Sequence, residues 1–153
     1  MTSNGERKVI TVENNAGGKG PMTIEHLLGE KELDGKCKMY AKVTIPVGSS
    51  LGYHEHHGNT ETYFILSGTG EYSDNGEKYT VKAGDCTFCA EGNGHGLENT
   101  GNEDLVFMAL IINNSIKKGI LNIFKISFFV QYTIYCGNLF IFRGKFKIVK
   151  FYL

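Results

Sequence analysis

The sequence predicts an all-β protein built as a sandwich or barrel of short strands, on three observations. Glycine is dense and confined: 17 of 20 lie in the first 114 positions, roughly twice the usual ~7% share, which implies many tight turns. Between the glycines run short segments in which apolar and polar side chains alternate, the period of a strand with one buried face. No stretch before residue 115 holds a helical period for more than two turns, so helices are minor elements. At 153 residues the chain is long enough for one ordinary domain.

The elements follow in chain order. Residues 14–21, NNAGGKGP, hold three glycines and a proline with Ala16 as the one apolar side chain, and read as a mobile connecting loop. Strands are predicted at 22–28, 38–45, 62–66, 77–81 and 105–112. Asn75-Gly76 stands between two such runs, where a two-residue hairpin turn needs positive φ at both positions. Turn-forming clusters at 82–85, 91–94 and 100–104 space the strands as a sandwich or barrel requires. Tyr53, Tyr63, Phe64, Phe88, Phe107 and Met108 are the expected large core side chains, those pointing inward walling any pocket.

Charge divides the chain. Sixteen acidic and sixteen basic residues balance overall, yet residues 1–114 hold all sixteen acids against nine bases, and residues 115–153 hold seven bases and no acid. The acidic first part offers no clustered cationic face, which argues against a nucleic-acid partner and for a small molecule or a protein. The organisation expected is an N-terminal segment over 1–22, a barrel over 23–113 and a separate tail over 114–153.

In that tail, 28 of the 39 residues from 115 onward are Phe, Ile, Lys, Tyr, Asn or Leu, types that share AT-rich codons. The leading reading is a run-on or frame-shifted extension after a complete domain. A membrane anchor is the second reading, because residues 126–142 carry no charge and are flanked by lysines and an arginine; the length is short for a span, and basic residues at both ends give no orientation. A third is an added hairpin over 139–151, alternating around Arg143-Gly144.

The N-terminus MTSNGERKVI lacks the apolar stretch of a secretory signal, so a reduced, cytoplasmic protein is expected. Cys86 and Cys89 form a CxxC, but on a strand their odd separation sends the thiols to opposite faces, against a shared zinc or redox role.

The five histidines carry the chemistry. His54 and His56 are two apart, so on one extended segment both imidazoles project to the same side, and Glu61 follows a short turn at the head of the next strand. His95, just after the 92–94 turn, supplies a third nitrogen from elsewhere in the fold. His57 has the opposite parity and reads as outward-facing or as a donor to a ligand side chain; His26 reads as an ordinary wall or surface residue. Asn99 shares parity with His95 and is expected to hold its strand in place.

The segment GSSLGYHEHHGNTETYFILSG, from Gly48 through His54, His56 and Glu61 to Gly68, resembles the first motif of the cupin superfamily, and GDCTFCAEGNGHGLEN, from Gly84 through Gly92 and His95 to Asn99, resembles the second. One position departs: Ala90 stands where the family usually has proline, which loosens the turn before His95 without removing a ligand. The resemblance covers about residues 23–113. It implies a jelly-roll β-barrel, a metal held by His54, His56, Glu61 and His95, and a homodimer that covers the sheet edges.

Three imidazoles and a carboxylate suit one divalent transition metal, Mn, Fe, Ni, Co or Zn, and leave two positions open in an octahedral ion. Two open positions chelate a small oxygen-rich molecule such as a carboxylate, hydroxy acid or sugar derivative. The first functional reading is therefore a small metal-dependent isomerase, decarboxylase or dioxygenase; the second is a barrel that binds or senses a small ligand without turnover. Glu55, Glu91 and Glu98 are the nearby carboxylates for acid or base work, and the sequence brings none of them into the site.

Overall fold

In the computed structural model of the chain, residues 1–114 are described. They form ten strands: β1 (Val9–Glu13), β2 (Pro21–His26), β3 (Cys37–Ile45), β4 (Ser50–Glu55), β5 (Asn59–Ser67), β6 (Thr69–Asp74), β7 (Glu77–Lys82), β8 (Cys86–Cys89), β9 (Gly94–Asn99) and β10 (Leu105–Asn113). A single helical turn, α1 (Glu30–Leu33), links β2 to β3. The expectations for residues 115–153, anchor and hairpin included, lie outside the described residues. No helix among the described residues is long and apolar enough to cross a membrane.

The strands make two antiparallel sheets, six-stranded in the order β1-β2-β3-β10-β5-β8 and four-stranded in the order β4-β9-β6-β7. This is the sandwich the turn spacing implies, in the jelly-roll form the cupin resemblance implies. Alternation explains the core. Ala41, Val43 and Ile45 of β3 and Phe107 and Ala109 of β10 are buried at every second position, and Leu51, Tyr72, Val81 and Leu97 meet them from the smaller sheet. Each large side chain so buried contributes about 1.5–3 kcal/mol of transfer free energy.

The β6–β7 hairpin turns at Asn75 and Gly76, with φ of 50° and 92°, as the Asn-Gly signal requires. Strand β1, absent from the predicted elements, pairs with β2 from Val9↔Glu25 to Glu13↔Pro21. Residues 14–21 correct the expectation of a mobile loop. The segment holds a 3-10 turn over Asn15–Gly17 and is fastened to β4, where Ser50 N donates to Lys19 O at 2.8 Å and Lys19 N donates to Ser50 Oγ at 2.9 Å. Gly18 of the segment and Gly52 of β4 allow the close approach: a methyl at Gly18 would strike the Ser50 carbonyl oxygen, and one at Gly52 would strike that of Ala16.

Three of the six expected large core side chains are corrected too. Tyr63 and Phe107 are fully buried, whereas Tyr53, Phe64 and Phe88 stand exposed. Parity is the cause, because each of the three alternates with a residue that faces inward.

Candidate metal centre

All four predicted ligands come together. His54 is the last residue but one of β4, His56 begins the turn after it, Glu61 lies near the start of β5, and His95 lies in β9, paired with His54 across the ladder. One donor atom from each falls within 4.8 Å of the others. His56, Glu61 and His95 are buried and His54 is half-buried. Glu61 Oε2 is the focus, 2.9 Å from His95 Nε2, 3.1 Å from His56 Nε2 and 3.5 Å from His54 Nε2.

Ala90 does not cost the turn its shape. Asn93 N donates to Ala90 O, and the turn docks on His56 by two backbone bonds, His56 N to Asn93 O at 3.0 Å and Gly92 N to His56 O at 2.7 Å. The segment bearing His95 is thus tied directly to the backbone of another ligand. At the far end of β9, Asn99 Nδ2 donates to the carbonyls of Ile45 and Glu103 at 2.8 Å each, the strand-holding role expected of it.

Every imidazole has its other nitrogen engaged. His54 Nδ1 lies 3.0 Å from Gly52 O, His56 Nδ1 lies 2.6 Å from Asn59 Oδ1, and His95 Nδ1 lies 3.0 Å from the Tyr72 hydroxyl. A carbonyl oxygen only accepts, so His54 and His56 carry their protons on Nδ1 and turn a bare Nε2 inward, and Tyr72 accommodates the same tautomer of His95. Outer hydrogen bonds of this kind orient metal-binding imidazoles. Asn59 and Tyr72 were not picked out from the sequence; Tyr72 shows itself only through the pairing of β6 with β9.

Tyr63 completes the floor. Its ring stacks on His95 at 4.9 Å between centroids and its hydroxyl donates to Glu61 Oε2 at 2.9 Å. Burial and the neighbouring Glu61 charge hold this phenol well above its usual pKa, so it stays a donor. Burial opposes ionisation of Glu61, but its contacts with His54 and His95 and the hydrogen bond from Tyr63 outweigh it and bring the carboxyl down to about 2. His95 is pushed down by burial and remains a neutral imidazole. For His54, burial works against protonation, while the bond to Glu61 and the Gly52 carbonyl outweigh it and raise the pKa; the Lys38 charge acts in the opposite sense.

The donor set fits a metal. Two bare imidazole nitrogens, His56 Nε2 and His95 Nε2, lie 2.9 Å apart beside an ionised carboxylate, an electron-rich convergence that a cation satisfies. Above it opens a cavity of about 420 Å³, walled by Met22, Ile24, Val43, Leu51, Phe107 and Ile111 and bordered by Asn15 and Ala16 of the docked loop. That volume suits a small ligand.

The other sequence candidates are not among the four donors, although His57 and Glu55 border the cavity. His57 is exposed and pairs with Glu55 at 3.1 Å, Glu91 accepts from Gly58 N and from Asn114, Glu98 pairs with Lys19, and His26 is partly exposed on β2. Cys86 is exposed and Cys89 buried, both free, the opposite facing that strand parity requires.

The cupin domain profile matches residues 41–111. The chain is 45% identical over 101 residues to an oxalate-binding protein of Thermotoga maritima, covering 66% of this chain and 84% of that one. It belongs to the cupin family. Among solved structures, a Thermotoga maritima protein described as a predicted oxalate decarboxylase is 41% identical, with a TM-score of 0.71 over 74% of this cupin and 98% of that chain. The cupin domain of Schizosaccharomyces pombe Cnp3 superposes with a TM-score of 0.59 at 15% identity, a likeness of fold alone.

Proposed function

We propose that this cupin holds one divalent transition metal on His54, His56, Glu61 and His95 and binds there a small dicarboxylate of the oxalate class. The observation that carries the reading is the convergence of three bare Nε2 atoms on Glu61 Oε2 beside a largely apolar cavity. The ligand class is supported by the 45% identical oxalate-binding protein. A divalent ion held on four protein donors supplies a Lewis acid with room for two oxygens of a small acid.

The chain's own residues do the rest. Gly52 O, Asn59 and Tyr72 fix the tautomers, Tyr63 keeps Glu61 ionised and oriented, and the aliphatic wall excludes water and limits ligand size.

Binding without turnover is favoured over decarboxylation by the placement of carboxylates. Splitting oxalate into carbon dioxide and formate requires a proton delivered to carbon, and among the described residues the one carboxylate on the cavity rim besides Glu61 is Glu55, turned to His57. Titration calorimetry of oxalate into metal-loaded and metal-stripped protein, with formate followed by NMR, tests this. The expected result is binding by the loaded form alone with no formate. Formate release would establish a decarboxylase, and no binding by either form would overturn the dicarboxylate reading.

A further inference from the structure

Strand β3 carries one residue more than its partner β10 at its N-terminal end. Met39 pairs with Ile111 and Cys37 with Ile112, so Lys38 is left over as a β-bulge. Strict alternation with inward-facing Met39, Ala41 and Val43 would put Lys38 on the outer face. Bulges re-aim side chains, and Lys38, though exposed, borders the metal-centre cavity together with Met39 and Val43. Its stem also borders the neighbouring groove of the N-terminal segment.

Among the described residues lining the cavity, Lys38 is the one lysine or arginine. The lysines flanking it on the chain are paired, Lys36 with Asp34 at 2.9 Å and Lys42 with Glu25 at 2.7 Å. Lys38 makes no ion pair among the described residues. An unpaired ammonium on a flexible stem at the edge of an apolar cavity is a recognition group for an anion. Glu61 offsets one charge of a divalent ion and Glu55, on the same rim, is turned to His57, so Lys38 adds a positive charge beside that of the metal for an anion to meet.

We propose that Lys38 is the anion-recognition residue of this site, taking the carboxylate that projects toward the cavity mouth and making the site selective for doubly over singly charged small acids. The inference rests on the dicarboxylate reading above and adds a residue that no metal-binding motif contains. Lys38 acts on the ligand and does not touch the metal donors, so its loss leaves metal binding intact.

The test is calorimetric titration of oxalate and of glycolate into the metal-loaded full chain, wild type against Lys38→Met and Lys38→Arg. Metal content and thermal transition serve as controls for folding. The expected result is a rise in the oxalate Kd on the order of tenfold in Lys38→Met, the scale of one charge-assisted contact, with a much smaller rise for glycolate. Metal content stays unchanged, and the charge-conserving Lys38→Arg recovers most of the affinity. Added salt weakens oxalate binding more in wild type than in Lys38→Met. An oxalate Kd within twofold of wild type in Lys38→Met overturns the inference and leaves the dicarboxylate reading standing. Absence of oxalate binding by loaded wild type overturns both.

Discussion

The Nε2 atoms of His56 and His95 face each other at 2.9 Å with Glu61 Oε2 within 3.1 Å of each. Their Nδ1 atoms are committed to Asn59 and Tyr72, so lone pairs and a carboxylate converge in a buried place. Metal removal is therefore predicted to destabilise the protein. Thermal unfolding should shift down on chelation and recover on adding a divalent ion; ligand linkage gives about 2.7 kcal/mol at a hundredfold excess over Kd. Identical transitions with and without chelator would contradict this.

Tyr72 supports His95 without joining the donor set. Tyr72→Phe retains the buried ring and removes the hydroxyl, and should weaken metal binding about 10- to 100-fold with the far-ultraviolet circular dichroism unchanged. Competition against a chromophoric chelator measures it. An unchanged metal affinity would make Tyr72 a packing residue alone.

The docked 14–21 loop depends on backbone contact at Gly52, where an added methyl meets the carbonyl oxygen of Ala16. Gly52→Ala should cost about 1–3 kcal/mol, the usual scale of overpacking, and should raise amide exchange in residues 14–21, read by hydrogen-exchange mass spectrometry. Protection equal to wild type would show that the loop is held by other means.

Glu25 accepts from Lys42 and Arg7, and those two bonds hold its carboxyl below the usual value of 4.5. A depressed folded-state pKa stabilises above the unfolded value, and the gain is lost as pH falls through the folded one. The stability difference between wild type and Glu25→Gln should therefore be largest near neutral pH and shrink below about 4.5. Denaturant midpoints across that range measure it, and a pH-independent difference would refute the assignment.

The donors were legible because two of them share one strand parity and the rest lie at fixed spacings from glycine turns: His54, His56, Glu61 and His95 all arrived where their sequence positions imply. The exposed aromatics could have been read from the same donors. Glu61 inward fixes Tyr63 and Ile65 inward and Phe64 outward, and His54 inward turns Tyr53 outward. Lys38 was not legible, because a bulge exists only relative to the register of another strand, here β10, some seventy residues later in the chain. Tyr72 was hidden for the same reason, and the 14–21 loop because glycine signals a turn and close backbone contact with the same letter.

Metal content is the plainest test of a metal centre on His54, His56, Glu61 and His95. Inductively coupled plasma mass spectrometry on the wild-type chain should find close to one equivalent of manganese, iron, cobalt, nickel or zinc, and a folded Glu61→Gln, His95→Ala double variant should have lost it. Equal metal in both proteins, or none in wild type after exposure to divalent ions at a pH that keeps the imidazoles neutral, would contradict the account.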